Sequence, residues 1–159
     1  MASQKPGKWR TKLEKEAAPR IVEIPERMQK QWGKGTMAIA RPLDIDRTMR
    51  RAKKGKLLTV KQIMEALAEE YGTHTLCPMT TGIFVRVAAE AAEEDRAAGK
   101  QRVTPYWRTI KSDGKLNEKY PGGIAAQAEK LIAEGFELTE ARGKQPPRVV
   151  GFEGCLQKL

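Results

Sequence analysis

Apolar residues along this chain recur with helical spacing in three places. After Lys56-Leu57-Leu58, the run Thr59-x-x-Gln62 has the form of a capping box, in which the threonine hydroxyl accepts from a free backbone amide and the glutamine reaches back. Ile63, Met64, Leu67 and Ala68 then follow at helical intervals to Tyr71, and Gly72 supplies a stop. A second stripe, Ile83, Val87, Ala88 and Ala91, predicts a helix from about Met79 to Ala98, closed by Gly99 and separated from the first by a short connection over 73–78. The third, Ile124, Ala128, Leu131 and Ile132, predicts a helix ending at Gly135.

Upstream, Pro42-Leu43-Asp44-Ile45-Asp46 reads as a helix start, with proline early and acids in the first turn, and the helix is expected to run to about Lys53 before Gly55. Between the second and third stripes, Val103 to Ile110 and Leu116 flank Lys111-Ser112-Asp113-Gly114-Lys115. Asp-Gly is a turn signal, so a β-hairpin is expected here, with Pro105 at an edge. Two helices, a short turn and then a hairpin predict a winged helix-turn-helix, an α+β fold. Residues 21–41 are too apolar for a free tail and are expected to pack on the body. Residues 1–20 are expected to be flexible, with Trp9 either docked on the body or stacked on a base. Val149-Val150-Gly151-Phe152, after Pro146-Pro147, suggests an extra strand and tail. The organisation expected is a basic extension over 1–41, a winged-helix domain over 42–138 and a packed tail over 139–159.

Charge sharpens this picture. The chain has 159 residues and a net charge of +10. Residues 1–56 hold 16 Lys/Arg against 6 Asp/Glu, whereas residues 57–159 are balanced. A basic arm beside a neutral body is the layout of a polyanion binder, so DNA is the partner expected. Arg47, Arg50, Arg51, Lys53, Lys54 and Lys56 form the densest patch and are the expected phosphate contacts. The second helix of the pair ends in Glu90, Glu93, Glu94 and Asp95, so only its first half is expected to approach DNA.

Two cysteines and one histidine make neither a disulfide framework nor a zinc quartet. His74-x-x-Cys77 has ligand-like spacing, but two ligands do not hold a metal. No metal and no cofactor are expected. No apolar run approaches the roughly 20 residues of a membrane span, and Met1 to Arg20 lacks a signal-peptide core, so a cytoplasmic monomer is the expectation.

The segment Thr104-Pro105-Tyr106-Trp107-Arg108, the Ser112-Asp113-Gly114 turn, Tyr120-Pro121-Gly122-Gly123 and Glu134-Gly135 occur in an order with specific spacing. That order resembles the active-site segment of the O6-alkylguanine-DNA alkyltransferases (methylated-DNA–protein-cysteine methyltransferases). The resemblance covers about residues 55 to 138 and corresponds to the C-terminal, DNA-binding half of those enzymes. It implies that Pro105 and Arg108 match the reactive frame, that Tyr106 stands at the acceptor cysteine and that Trp107 stands at its histidine partner. It also implies that Tyr120, Gly122 and Gly123 wall a base pocket, and that Glu134 falls on the carboxylate that orients the histidine, here with nothing to orient. The family's DNA-rotating tyrosine aligns with Val60. Its helix-borne arginine aligns with Thr81, with Arg86 about one turn away.

Alkyl transfer needs a thiolate, and a phenol with an ordinary pKa near ~10 and no adjacent base is no substitute. The expectation is therefore a non-catalytic DNA-binding protein, similar to the cysteine-less alkyltransferase-like proteins, which bind alkylated guanine without repairing it and hand the lesion to another pathway. A repair protein is a second partner that the resemblance implies. The alternative is a small-molecule or peptide-binding module built on the old pocket of Tyr106, Trp107, Tyr120 and Glu134, either open or filled by its own aromatics.

Overall fold

The computed structural model describes residues 7–15 and 18–159. The fold mixes helices with short strands. In chain order these are α1 (Lys8–Glu14), β1 (Arg20–Glu23), α2 (Glu26–Trp32), β2 (Thr36–Ile39), α3 (Pro42–Met49), β3 (Leu58–Thr59), α4 (Val60–Tyr71), β4 (Thr75–Leu76), α5 (Pro78–Ala97), β5 (Thr109–Ile110) and α6 (Gly123–Ala133). Single turns of 3₁₀ helix cover Tyr106–Arg108 and Phe152–Cys155.

The helix pair follows its local signals closely. The Gln62 amide donates to Thr59 Oγ1 at 3.2 Å, and the Thr59 amide donates to Gln62 Oε1 at 3.0 Å. Gly72 closes α4 in the left-handed conformation, at φ 71°. Pro78 occupies the first position of α5, where its missing N–H costs nothing. Between them β4 adds a parallel strand to β2, and β2 pairs antiparallel with β1. The apolar segment 21–41, expected to pack on the body, supplies β2 and most of β1 in a three-stranded sheet.

Three expectations need correction. Residues 8–14 are not a flexible arm. They form α1, which lies along α5 with Leu13 fully buried, while the part of that expectation falling on 1–6 and 16–17 lies outside the described residues. The second correction concerns α3, which stops at Met49 instead of Lys53. The chain continues through tighter turns, with the Arg51 amide donating to the Thr48 carbonyl and the Ala52 amide to that of Met49.

The third correction is the hairpin. Strand β5 pairs in parallel with β3, and the far side of the Lys111–Lys115 turn pairs instead with the C-terminal segment. Two backbone bonds close the turn, from the Lys111 amide to the Lys115 carbonyl and from the Gly114 amide to the Lys111 carbonyl, each at 2.9 Å. Beyond it, the Leu116 amide donates to the Pro147 carbonyl at 3.0 Å, so the tail has taken the place of the hairpin's first strand. The strand expected at 149–152 is reduced to bridges such as Leu138 with Val149, followed by the Phe152–Cys155 turn.

Among the described residues, two apolar clusters hold the fold. The larger joins α1, β2, α3, α4, β4 and α5 around Ile45, Met49, Ile63, Leu67, Leu76 and Val85. The smaller joins Leu57, Ile110, Leu116, Leu131 and Val149. Trp107 packs against both, which makes it the seam between the helix-rich part and the C-terminal part. Among the described residues no helix is long and apolar enough to cross a membrane.

Candidate functional site

The structure brings the segment around Tyr106 together as a closed aromatic cluster. Tyr106 sits in the 3₁₀ turn after Pro105 and is 1% exposed. Its ring meets Trp107 edge-on at 5.4 Å and Tyr120 edge-on at 5.3 Å. Its hydroxyl donates to Oε1 of Glu93 on α5 at 2.5 Å. Burial, then this hydrogen bond and the carboxylate's charge, push the phenol well above the ordinary tyrosine range, so it stays protonated. Tyr120 is buried as well, and its hydroxyl donates to the Thr109 carbonyl at 2.9 Å. Neither ring offers a face on which a base could stack.

Glu134 is fully engaged, contrary to the expectation that it has nothing to orient. It accepts from Nε1 of Trp107 at 2.8 Å and forms an ion pair with Arg108, whose Nε lies 2.8 Å away. An indole N–H is a donor like an imidazole N–H, so Trp107 takes up the carboxylate while offering no base. Burial opposes ionisation of Glu134, but the Arg108 and Trp107 hydrogen bonds outweigh it and hold the carboxyl below its usual range. Arg108 also donates from Nη1 to the Ala52 carbonyl at 2.8 Å, tying the turn after α3 to the end of α6.

Sequence reasoning missed Gln127, buried on α6. Its Nε2 donates to the Trp107 carbonyl at 3.1 Å, and its Oε1 accepts from the Asn117 amide at 2.8 Å. A buried glutamine facing non-local carbonyls leaves no periodic signal. Gly122 and Gly123, at φ 77° and 70°, turn the chain between Tyr120 and α6 in a conformation that disfavours side chains. The cluster is therefore braced by hydrogen bonds, and the Thr109 hydroxyl is the buried side-chain group without a partner among the described residues.

The basic patch after α3 is partly neutralised from within. Arg47 pairs with Glu70 at 2.9 Å and lies 3.4 Å from Asp44, and Arg50 pairs with Asp46 at 2.9 Å. Arg51, Lys53, Lys54 and Lys56 are exposed and make no ion pair among the described residues. Thr81 is corrected outright as a DNA contact. It is 1% exposed, and its hydroxyl donates to the Cys77 carbonyl one turn back at 2.7 Å.

The acidic end of α5 is likewise not a free anionic face. Glu94 accepts the backbone amides of Trp9 and Arg10 at 2.8 and 3.1 Å, serving as a cap for α1 supplied by another helix. Asp95 is buried against the Arg10 guanidinium, with Lys100 at 3.5 Å. Glu93 takes Tyr106 and Arg96; burial opposes its ionisation, yet these bonds hold its carboxyl low.

That arrangement leaves the first half of α5 as a wall of a groove of about 890 Å³. Trp9, Lys12 and Lys15 wall one side, and Val60, Lys111, Asn117, Glu118 and Lys119 complete it around Met79, Gly82, Ile83 and Arg86. Trp9 is half-buried, and its ring carries Lys12 Nζ at 4.7 Å, Lys8 Nζ at 5.3 Å and the Arg86 guanidinium at 5.6 Å. Lys111 is paired with Glu118 at 2.8 Å, while Lys12, Lys15 and Lys119 make no ion pair among the described residues. Among the described residues, five cations and one carboxylate thus line a partly apolar groove at the positive end of a 20-residue helix. Of the expected DNA contacts, only Arg86 lines it.

His74 and Cys77 do not converge on a common ligand. The His74 Nδ1 accepts from the Thr36 amide at 3.1 Å, and among the described residues no group of three or more His, Cys, Asp or Glu is placed to hold a metal ion.

No protein-family model matches the chain, and no curated protein does. Among solved structures it is similar to Atl1 of S. pombe, determined in complex with damaged DNA containing O6-carboxymethylguanine. Identity is 16%, the superposition covers 74% of this chain and 94% of that one, and the TM-score is 0.47.

Proposed function

We propose that this protein is a non-catalytic DNA-binding protein, and that the groove along the first half of α5 is its DNA face. The observation that carries this reading is the excess of cations among the described residues lining that groove: Lys12, Lys15, Arg86, Lys111 and Lys119 against Glu118, with Glu90 3.8 Å from Arg86 outside the lining. Phosphates attract such a rim, and each neutralised phosphate releases counterions, so affinity falls steeply with salt. The internal pairing of Glu93, Glu94 and Asp95 supports the same reading, because it removes the repulsion that the end of α5 would otherwise exert. Exposed Arg51, Lys53, Lys54 and Lys56 are proposed as secondary phosphate contacts.

Sensing of alkylated bases is the finer form of this proposal, and it rests on the resemblance of residues 104–135. With Tyr106 and Tyr120 enclosed, a flipped base finds no open ring at that position, so unmodified duplex is the ligand favoured. The same enclosure disfavours a small-molecule module built on that cluster.

Fluorescence anisotropy with matched duplexes, with and without one O6-methylguanine, over a salt series tests the proposal. Salt-steep binding to both is expected. Tighter binding to the modified duplex would promote the sensor form, and no binding to either would end the nucleic-acid reading.

A further inference from the structure

Met79, Gly82, Ile83 and Arg86 recur at i, i+3, i+4 and i+7, forming one exposed stripe on the first half of α5. Met79 is 73% exposed and Ile83 is 52% exposed, although the helix buries Thr81, Val85 and Ala88. Residues one turn apart on a helix stand about 5–6 Å from each other at Cβ, so the two side chains act as one apolar ridge.

Gly82 is the second observation. Its φ is not positive, and an added Cβ would meet nothing within 4 Å, so the fold itself would accept alanine. Glycine inside a helix is destabilising relative to alanine, and nothing in the packing repays it. Its effect is to keep the surface low beside the ridge, where another backbone can approach closely.

The third observation is the setting. The ridge is flanked by Lys12, Lys15, Arg86 and Lys119 in the same groove. A purely apolar partner would gain nothing from that rim, whereas a polyanion with apolar surface between its charges fits both parts. Duplex DNA is such a partner, and proteins that bend it insert Met, Ile, Leu or Phe between base steps while cations hold the flanking phosphates.

We propose that Met79 and Ile83 form an apolar wedge that inserts against a base step of duplex DNA and unstacks it, with Gly82 admitting the sugar-phosphate backbone. This rests on the reading that the groove binds DNA. The sequence did single out the first half of this helix, but for its lack of acids rather than for its two exposed apolar residues.

The test uses the full chain and a duplex carrying one 2-aminopurine, whose fluorescence rises on unstacking, together with end-to-end energy transfer as a measure of bending. At saturating wild-type protein both signals are expected to change. Met79→Ala/Ile83→Ala, which alters only exposed side chains, is expected to lose both signals at saturation and to bind several-fold more weakly. Gly82→Ala is expected to weaken binding roughly tenfold while leaving the fold intact by circular dichroism. If the bound wild type leaves both signals unchanged, or the double variant distorts DNA as the wild type does, the wedge is overturned and plain DNA binding stands. If no duplex binds but an acidic amphipathic peptide does, the stripe belongs to a protein partner and both readings fall.

Discussion

Trp107 donates its indole N–H to Glu134 at 2.8 Å, and Arg108, the next residue, closes on the same carboxylate from Nε at 2.8 Å. One acidic group at the end of α6 therefore fixes two consecutive side chains of the 3₁₀ turn. Arg108 passes the restraint on to the Ala52 carbonyl beyond α3. Removing the carboxylate leaves a largely buried guanidinium without its counter-charge. Glu134→Ala is expected to cost about 3 kcal/mol, measured by urea denaturation. Glu134→Gln, which keeps an acceptor for Trp107, is expected to cost less.

The same carboxylate sets a pH dependence. Its pKa is lowered in the folded protein from 4.5, so at acid pH the unfolded chain takes up the proton first. The stability that Glu134 contributes is complete above 4.5 and is lost as pH falls from there through the lower folded value. Thermal unfolding followed between neutral pH and pH 3 is expected to show a shallower acid loss for Glu134→Gln than for the wild type. Parallel curves would show that Arg108 and Trp107 do not hold the carboxylate in solution.

Tyr106 is placed for structure rather than for contact with a ligand. Tyr106→Phe deletes only the hydroxyl that bonds Glu93, and Arg96 remains to accompany that carboxylate. A loss of about 1–2 kcal/mol is expected, with DNA affinity unchanged. A large fall in affinity at unchanged stability would instead show that the Tyr106 cluster opens to ligand.

Placing a thiol at that position is expected to restore no chemistry. A cysteine there would be buried with no base beside it, its sulfur short of the Glu93 carboxylate that the longer tyrosine reaches, and desolvation raises a thiol pKa. Tyr106→Cys incubated with an O6-alkylguanine duplex is expected to show no mass increase by mass spectrometry. A stoichiometric alkyl adduct would mean that the site keeps reactive geometry without a histidine.

How much of this could be read from the sequence depended on the range of the interactions. The Thr59–Gln62 capping box, the Gly72 stop and the Pro78 start act within a few residues, and the helices they bound are found where the sequence places them. The hairpin failed because Leu116 finds a closer partner in Pro147, some thirty residues on, than across its own turn. The charges interspersed along residues 1–20 make flexibility the local expectation for 8–14. Arg10 and the two amides capped by Glu94 find their partners more than eighty positions away, which no local pattern reveals. At the candidate site, the segment around Tyr106 was conspicuous in sequence because its motif is contiguous. The groove was not, since Trp9, Val60, Ile83 and Lys119 meet only in the fold.

Docking of α1 carries its own consequence. Glu94→Ala removes the acceptor for the first free amides of α1, and a lost cap costs about 1 kcal/mol. Hydrogen exchange over residues 8–14 is expected to accelerate more than exchange over α4. Because Trp9, Lys12 and Lys15 wall the groove, DNA affinity is expected to fall with it. Uniform acceleration across the chain would instead point to general destabilisation.

The most direct measurement compares two charge reversals by anisotropy on one duplex over a salt series. The first variant carries Lys12→Glu, Arg86→Glu and Lys119→Glu in the groove, and the second carries Arg51→Glu, Lys53→Glu and Lys54→Glu in the patch after α3. The groove variant is expected to lose more than about tenfold in affinity and to flatten the salt slope by roughly three, with the patch variant affected less. Wild-type affinity and slope in the groove variant would contradict the assignment of that groove as the DNA face.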